Sequence, residues 1–155
     1  MIALNGGTCI LMKNWDRLLT LSMVMHTLLR TNINKFGYVD TIKDLSKDIN
    51  SILLAINNFS VLSVKQIRKI AKVIIEKDLS NELVASCISI SLLIHILCIL
   101  SKIDSYIVIG VVLINGKLFS HAWVETVDAK IDFMAEGYNY KTIKKFTLLD
   151  NISAK

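Results

Sequence analysis

Proline is absent from the 155 residues and glycine occurs only six times. A chain so poor in both has little from which to build linkers or extended tails, which points to one domain over residues 1–155. Cysteine is scarce too. Cys9, Cys87 and Cys98 are odd in number and stand 78 and 11 positions apart, which does not describe a disulfide framework. No Cys-x-x-Cys pair or Cys/His cluster offers a zinc site, so neither metal nor cofactor is expected. Residues 1–12 lack the charged start and cleavage site of a secretory signal. Reduced thiols in a cytoplasmic protein are the expectation, and any of them can be reactive.

Charged residues make up 20% and hydrophobic ones 53%. That balance excludes a disordered chain, and the length suffices for a sizeable core. The formal charge of +5 gathers at Lys65, Arg68, Lys69, Lys72 and Lys77 and again at Lys141, Lys144, Lys145 and Lys155. Spaced this way on a helix, lysines read as a solvated face. No nucleic-acid motif accompanies them, so nucleic acid is not an expected partner, while peripheral contact with a membrane stays open. Leu83 to Leu100 is the single transmembrane candidate, but Ser86, Ser89, Ser91 and His95 interrupt it. A helix apolar on nearly every face also suits the centre of a core.

Along the chain, Trp15, Leu18, Leu19, Met23 and Leu28 recur at helical spacing, and Phe36-Gly37 ends that run. Asp40 offers an N-cap for a second helix reaching Asn57, with Ile42, Leu45, Ile49, Ile52, Leu53 and Ile56 on one face. Ser63 offers a cap for a third, burying Val64, Ile67, Ile70, Ala71, Ile74 and Ile75. A break is expected at Asp78 to Ser80. Residues 14–77 thus form a helical N-terminal portion. The fourth helix carries Cys87. Capped at Ser86, it puts the cysteine in its first turn, where unpaired N–H groups and the positive dipole end favour a thiolate. Capped at Asn81, it puts Cys87 mid-helix and removes most of that help.

Tyr106 to Ile114 is a β-branched strand with Gly110 inside it, and Asn115-Gly116 is a strong hairpin signal. The return strand, Lys117 to Val127, alternates so that Phe119, His121, Trp123 and Glu125 share a face. A further turn leads to Lys130-Ile131-Asp132-Phe133, and two registers are open. A Val127-Asp128 turn sets Asp132 opposite Trp123 and diagonal to His121, at about 7–8 Å between Cα atoms. An Asp128-Ala129 turn sets it opposite Glu125, too far to orient the imidazole. Beyond Tyr138 the chain is polar and basic, with a short helix expected between Lys141 and Leu149.

A cysteine hydrolase needs a thiolate, an imidazole to stabilise it and protonate the leaving group, and a polar group to fix the ring. Cys87, His121 and Asp132 supply these in that chain order. A free cysteine by itself is more often a small core hydrophobe. The rivals fit less well: Cys98 and His95 fall deep in the apolar helix, Cys9 precedes any clear element, and His26 reads as a packed residue of the first helix. Trp123 reads equally as a lid over the thiol and as ordinary packing.

The run Ser120-His121-Ala122-Trp123-Val124-Glu125, with Val108-Ile109-Gly110-Val111 and a helix opening Ser86-Cys87 before it, resembles the leader peptidases of lasso-peptide biosynthesis. These belong to the transglutaminase-like, papain-type superfamily. The likeness spans about Leu79 to Phe133, within a catalytic core of 79–135. Ile88-Ser89 departs from the leucine and basic or small residue usual after that family's cysteine, and the family's glycine turn after Glu125 is missing. The resemblance implies an α+β fold: a helical N-terminal part and a central Cys-bearing helix packed on a small antiparallel sheet. It implies Cys87 as nucleophile, His121 as base and Asp132 as orienting carboxylate. The implied activity is ATP-independent removal of a leader from a ribosomally made precursor peptide before macrolactam formation. The implied partners are that precursor, a separate leader-recognition protein, since residues 1–80 hold no three-stranded recognition module, and a macrolactam cyclase resembling asparagine synthetase. A transglutaminase-like acyltransferase and a non-catalytic membrane-associated scaffold are the other two readings.

Overall fold

The computed structural model describes residues 6–55, 61–80, 87–133 and 137–149. Four helices, α1 (Gly6–Phe36), α2 (Tyr38–Ala55), α3 (Val64–Ser80) and α4 (Cys87–Leu100), precede four strands: β1 (Ser105–Ile114), β2 (Lys117–Thr126), β3 (Lys130–Ile131) and β4 (Lys141–Phe146). The expected α+β class, with a helical layer, a central cysteine-bearing helix and a small antiparallel sheet, is what the chain forms.

One residue separates α1 from α2. Gly37 has φ +80° and donates its N–H to the Ile33 carbonyl at 2.8 Å, closing α1 in the left-handed conformation that glycine adopts without penalty. The Gly37 carbonyl then accepts from Thr41 N (3.3 Å) and Thr41 Oγ1 (2.8 Å). Gly37, not the expected Asp40, therefore opens α2, and Asp40 lies in the first turn against the positive helix end. Ser63 does cap α3: its N–H donates to Gln66 Oε1 at 2.9 Å while its hydroxyl accepts from Gln66 N at 3.3 Å, a reciprocal capping box. The expected break at Asp78 is absent, because α3 continues to Ser80. The candidate caps Asn81 and Ser86, the expected end of α2 at Asn57, and part of the apolar run from Leu83 lie outside the described residues.

Eleven of the fourteen α4 residues are buried. The helix runs through the centre of a core that joins Leu29 of α1, Ile49 of α2, Ile67, Ile70 and Ile74 of α3, and Ile107, Val124 and Ile131 of the sheet. Among the described residues no helix is long and apolar enough to cross a membrane. Its serines and histidine are held inside: His26 Nε2 meets Ser89 Oγ at 3.1 Å, tying α1 to α4. The backbone N–H of Leu148 donates to His95 Nε2 at 3.1 Å, so Nε2 is an acceptor and the ring proton sits on Nδ1, 2.8 Å from Ser105 Oγ. His95 thereby fastens the start of β1 and the end of the sheet to the helix.

The sheet order is β3-β2-β1-β4. Asn115 (φ +50°) and Gly116 (φ +76°) form the two-residue turn between β1 and β2, pairing Ile114 with Lys117 and Gly110 with His121. Val124 pairs with Ile131 and Glu125 with Lys130, and Thr126 N donates to Ala129 O at 2.8 Å. The connecting turn is therefore Val127-Asp128, and Asp132 falls opposite Trp123. The helix expected between Lys141 and Leu149 is instead strand β4, antiparallel to β1. Lys141, Lys144 and Lys145 stand at helical spacing, but Thr142 and Ile143 are β-branched and β1 offers an unpaired edge. Lysines then line the outermost strand, as they commonly do where an edge must resist further pairing.

Candidate active site

Cys87 is the first described residue of α4 and is half-buried; the two candidate caps before it lie outside the described residues. Burial raises the pKa of its thiol. The hydrogen bond with His121, one from the Ala122 backbone, attraction to the His121 ring and one from the Ile88 backbone outweigh that, and the thiol is held below its ordinary value. These N–H groups belong to α4 and to β2. A thiolate is thus met by donors from two elements.

His121 sits on β2, buried at 5% exposure. Its Nε2–H donates to Asp132 Oδ1 at 2.8 Å, which leaves Nδ1 as the nitrogen for the sulfur. Its pKa is raised, first by the bond with Cys87, against burial, and further by the bond and charge of Asp132. The two shifts agree. Each partner favours the charged form of the other, a thiolate facing an imidazolium. Asp132 is brought within reach by the Val127-Asp128 turn, and its side chain is 8% exposed. The three residues singled out from the sequence are therefore together, in the order Cys87–His121–Asp132.

Glu125, the other carboxylate on the histidine face, is engaged elsewhere. Its Oε1 accepts from Trp123 Nε1 at 3.0 Å and its Oε2 from Lys145 Nζ at 3.0 Å. Those two bonds, Trp123 first, hold its pKa below the ordinary carboxylate value. The Trp123 ring stacks on His121 with centroids 5.9 Å apart, so it packs against the imidazole.

Three contributors to this site were not singled out from the sequence. Tyr140, in the segment before β4, lies over His121 with ring centroids 5.1 Å apart. Nothing in the sequence marks it. Lys130 places its ammonium 3.1 Å from Asp132 Oδ2 and 4.4 Å from the centre of the Trp123 ring; the Lys130-x-Asp132 alternation on one strand face was a legible signal. Its carbonyl accepts from Arg68 Nη2 at 2.8 Å. Gly110 is the third. A Cβ there would stand 2.7 Å from Trp123 Cη2 and 2.8 Å from Tyr140 Cβ, so only hydrogen leaves the two rings room to seat beside His121. A glycine inside a β-branched strand is a recognised mark of such close approach.

The other candidates are not at the site. Cys98 is fully buried, and burial pushes its thiol up to about 11 against a bond with Ser105. His95 and His26 are the packed residues described above. The side chain of Cys9 lies outside the described residues. Among the described residues no group of His, Cys, Asp and Glu side chains could hold a metal ion.

Chemically, a thiolate, an imidazolium able to give up a proton, and a buried carboxylate fixing the ring suit nucleophilic attack on an acyl carbon. Neither the curated proteins nor the solved structures yield a match to the chain. The family model for the transglutaminase-like superfamily matches residues 60–147, a span that includes α3, α4 and all four strands. That span takes in more than half of the sequence and every side chain of the Cys87–His121–Asp132 cluster, and the chain belongs to the transglutaminase-like superfamily.

Proposed function

We propose that the protein is an ATP-independent cysteine endopeptidase that removes the leader from a ribosomally made precursor peptide of the lasso class, before macrolactam formation. The observation that carries the hydrolytic part is the 2.8 Å bond from His121 to Asp132 on a ring whose other nitrogen serves Cys87. The narrower peptide class is supported by the Ser120–Glu125 and Val108–Val111 runs. In the proposed reaction the Cys87 thiolate attacks the scissile carbonyl carbon and forms a carbon–sulfur bond. Backbone N–H groups in the first turn of α4 stabilise the oxyanion. The His121 imidazolium gives its proton to the leaving amine as the carbon–nitrogen bond breaks, leaving a thioester. His121 then takes a proton from water, whose oxygen attacks the thioester and releases the acid and the thiolate. Asp132 keeps the imidazole in the required tautomer throughout.

Delivery of the precursor is assigned to a separate recognition protein, and closure of the freed core peptide to a cyclase resembling asparagine synthetase. The test is mass spectrometry of precursor incubated with the protein, with and without the recognition protein and with an added primary amine. Leader and core of hydrolytic mass, faster with the partner and unchanged by the amine, are the expected result. An amide adduct of the amine at the expense of acid would assign acyl transfer instead. No turnover by wild type, with Cys87→Ala equally able to support peptide maturation, would assign a scaffold.

A further inference from the structure

The wall facing the thiol is not built by the matched core alone. A hollow of about 190 Å³ opens on Cys87 and His121, and Tyr38 of α2, Ile109 of β1 and Ile143 of β4 form its sides. A second hollow of about 210 Å³ shares Tyr38 and Ile109 and runs on between Ile42 of α2 and Phe146 of β4. Together they make one cleft with α2 on one side and the β1–β4 edge of the sheet on the other. Two features aim apolar surface into it. Gly37 lets α2 start directly after α1, so Tyr38 stands at the helix N-terminus, 48% exposed. In β4, Ile109 pairs with Lys144 and Gly110 with Thr142, so Ile143 is the extra residue of a bulge, a device that re-aims a side chain. Ile143 is 60% exposed. Neither residue is spent on the core cluster.

We propose that this cleft is the peptide-binding site, and that Tyr38 and Ile143 select an uncharged aliphatic side chain beside the bond attacked by Cys87. The proposal rests on the peptidase reading. Size argues for it: each hollow falls below the roughly 300–1,000 Å³ of pockets that enclose small molecules, and each suits one side chain of an extended chain. Chemistry argues for it as well, since the hollow between Tyr38, Ile109 and Ile143 is lined by no charged side chain besides the Cys87–His121 pair, Lys43 and Lys144 lining the second hollow instead, and a charged side chain there pays for desolvation. Tyr38 precedes residue 60, where the superfamily match begins. Selectivity is thus supplied partly by the N-terminal helices, outside the part of the chain that identifies the family.

The experiment uses acetyl-dipeptidyl chloromethyl ketones on the full chain, with leucine, aspartate or lysine placed in turn at each of the two residues before the ketone. Cys87 sulfur bonds to the methylene carbon as chloride leaves, and intact-mass spectrometry gives the rate. Leucine at one of the two positions should label Cys87 roughly tenfold or more faster than either charged residue. Ile143→Asp should reverse that order in favour of lysine, and Tyr38→Ala should flatten it. Each rate is divided by the same protein's rate with chloroacetone, a chloromethyl ketone with no side chain to place, so that any change in the thiol itself cancels, and both variants should keep the wild-type melting temperature. Peptidyl reagents that all outrun chloroacetone but ignore the side chain, or a preference that both variants retain, would overturn the cleft assignment while leaving the peptidase reading in place. Peptidyl reagents no faster than chloroacetone would overturn both.

Discussion

Cys87 and Cys98 lie on the same helix, eleven residues apart, and the structure treats them oppositely. Each has a polar partner from the sheet. For Cys98 it is Ser105, at the start of β1, and burial wins: the thiol is pushed up to about 11. For Cys87 burial also acts upward, but His121, its charge and two backbone donors outweigh it. Three turns of helix separate a thiol met by the His121 ring and the Ala122 and Ile88 backbones from one met by a serine hydroxyl alone. The neighbouring histidines differ in the same way. His95 is consumed by Ser105, Thr147 and the Leu148 N–H, whereas His121 has one nitrogen on Asp132 and the other free to serve a sulfur. Residue type is the same in both places. What differs is which partners the sheet brings to each.

The comparison breaks most sharply at the sulfur. Cys87→Ala is expected to abolish leader cleavage, while Cys98→Ala keeps it and costs stability through the cavity it leaves in the core. Iodoacetamide at neutral pH should carboxamidomethylate Cys87 and spare Cys98, read by peptide mapping. Labelling led by Cys98 would reverse the assignment of the two thiols.

Next in size is the carboxylate. Asp132→Asn should lower kcat/KM by roughly 10²–10⁴-fold, the upper end being the cost of a wrong tautomer in serine–histidine–aspartate enzymes. The far-ultraviolet circular dichroism should not change. An Asp132→Asn protein as active as wild type would remove Asp132 from the site, whatever the 2.8 Å bond suggests.

The pH profile divides the pair. The Cys87 pKa is lowered, so acidification must pass below the ordinary thiol range before the thiolate is lost and both alkylation and cleavage fall. The His121 pKa is raised, so its proton persists above the ordinary histidine range and is lost as pH rises through that higher value. Cleavage then falls for want of a proton for the leaving amine, while alkylation, which needs only the thiolate, does not. Rates of both reactions across pH 4–10 (a range spanning the ordinary values of both groups) check this. The apparent constants belong to the coupled pair. A basic limb shared by alkylation and cleavage would contradict the assigned role of His121.

Much of this was legible before any coordinates. Helical periodicity placed α1 to α3 because each buries one apolar stripe, and Asn115-Gly116 fixed the hairpin because both turn positions need positive φ. The register at Asp132 was narrowed to two choices by the same period-two logic, and the Thr126–Ala129 pairing selects the one that brings Asp132 to His121. Where local pattern misled, a tertiary demand prevailed. The lysine spacing of 141–145 suits a helix surface, yet the open edge of β1 draws the segment into the sheet. Asp40 is a good cap, but Gly37 reaches the helix start first by closing α1. Tyr140 and Tyr38 could not be found at all, since each acts only through residues distant in sequence.

The smallest effect expected is at the second carboxylate. Glu125 shares the histidine face, and the rejected register would have made it the residue nearer the ring. In the observed register its two oxygens hold Trp123 Nε1 and Lys145 Nζ, so it touches His121 only through the tryptophan stacked on the imidazole. Glu125→Gln keeps an oxygen for the indole and loses the charge that holds Lys145, a partly exposed ion pair worth about 0–1 kcal/mol. Cleavage should fall by no more than about fivefold, the rate equivalent of 1 kcal/mol, and the pH limbs should stay where they are. Asp132→Asn and Glu125→Gln therefore form a paired measurement on the same substrate. Their order reports the register in solution: a larger loss from Glu125→Gln would mean that Glu125, not Asp132, orients the ring.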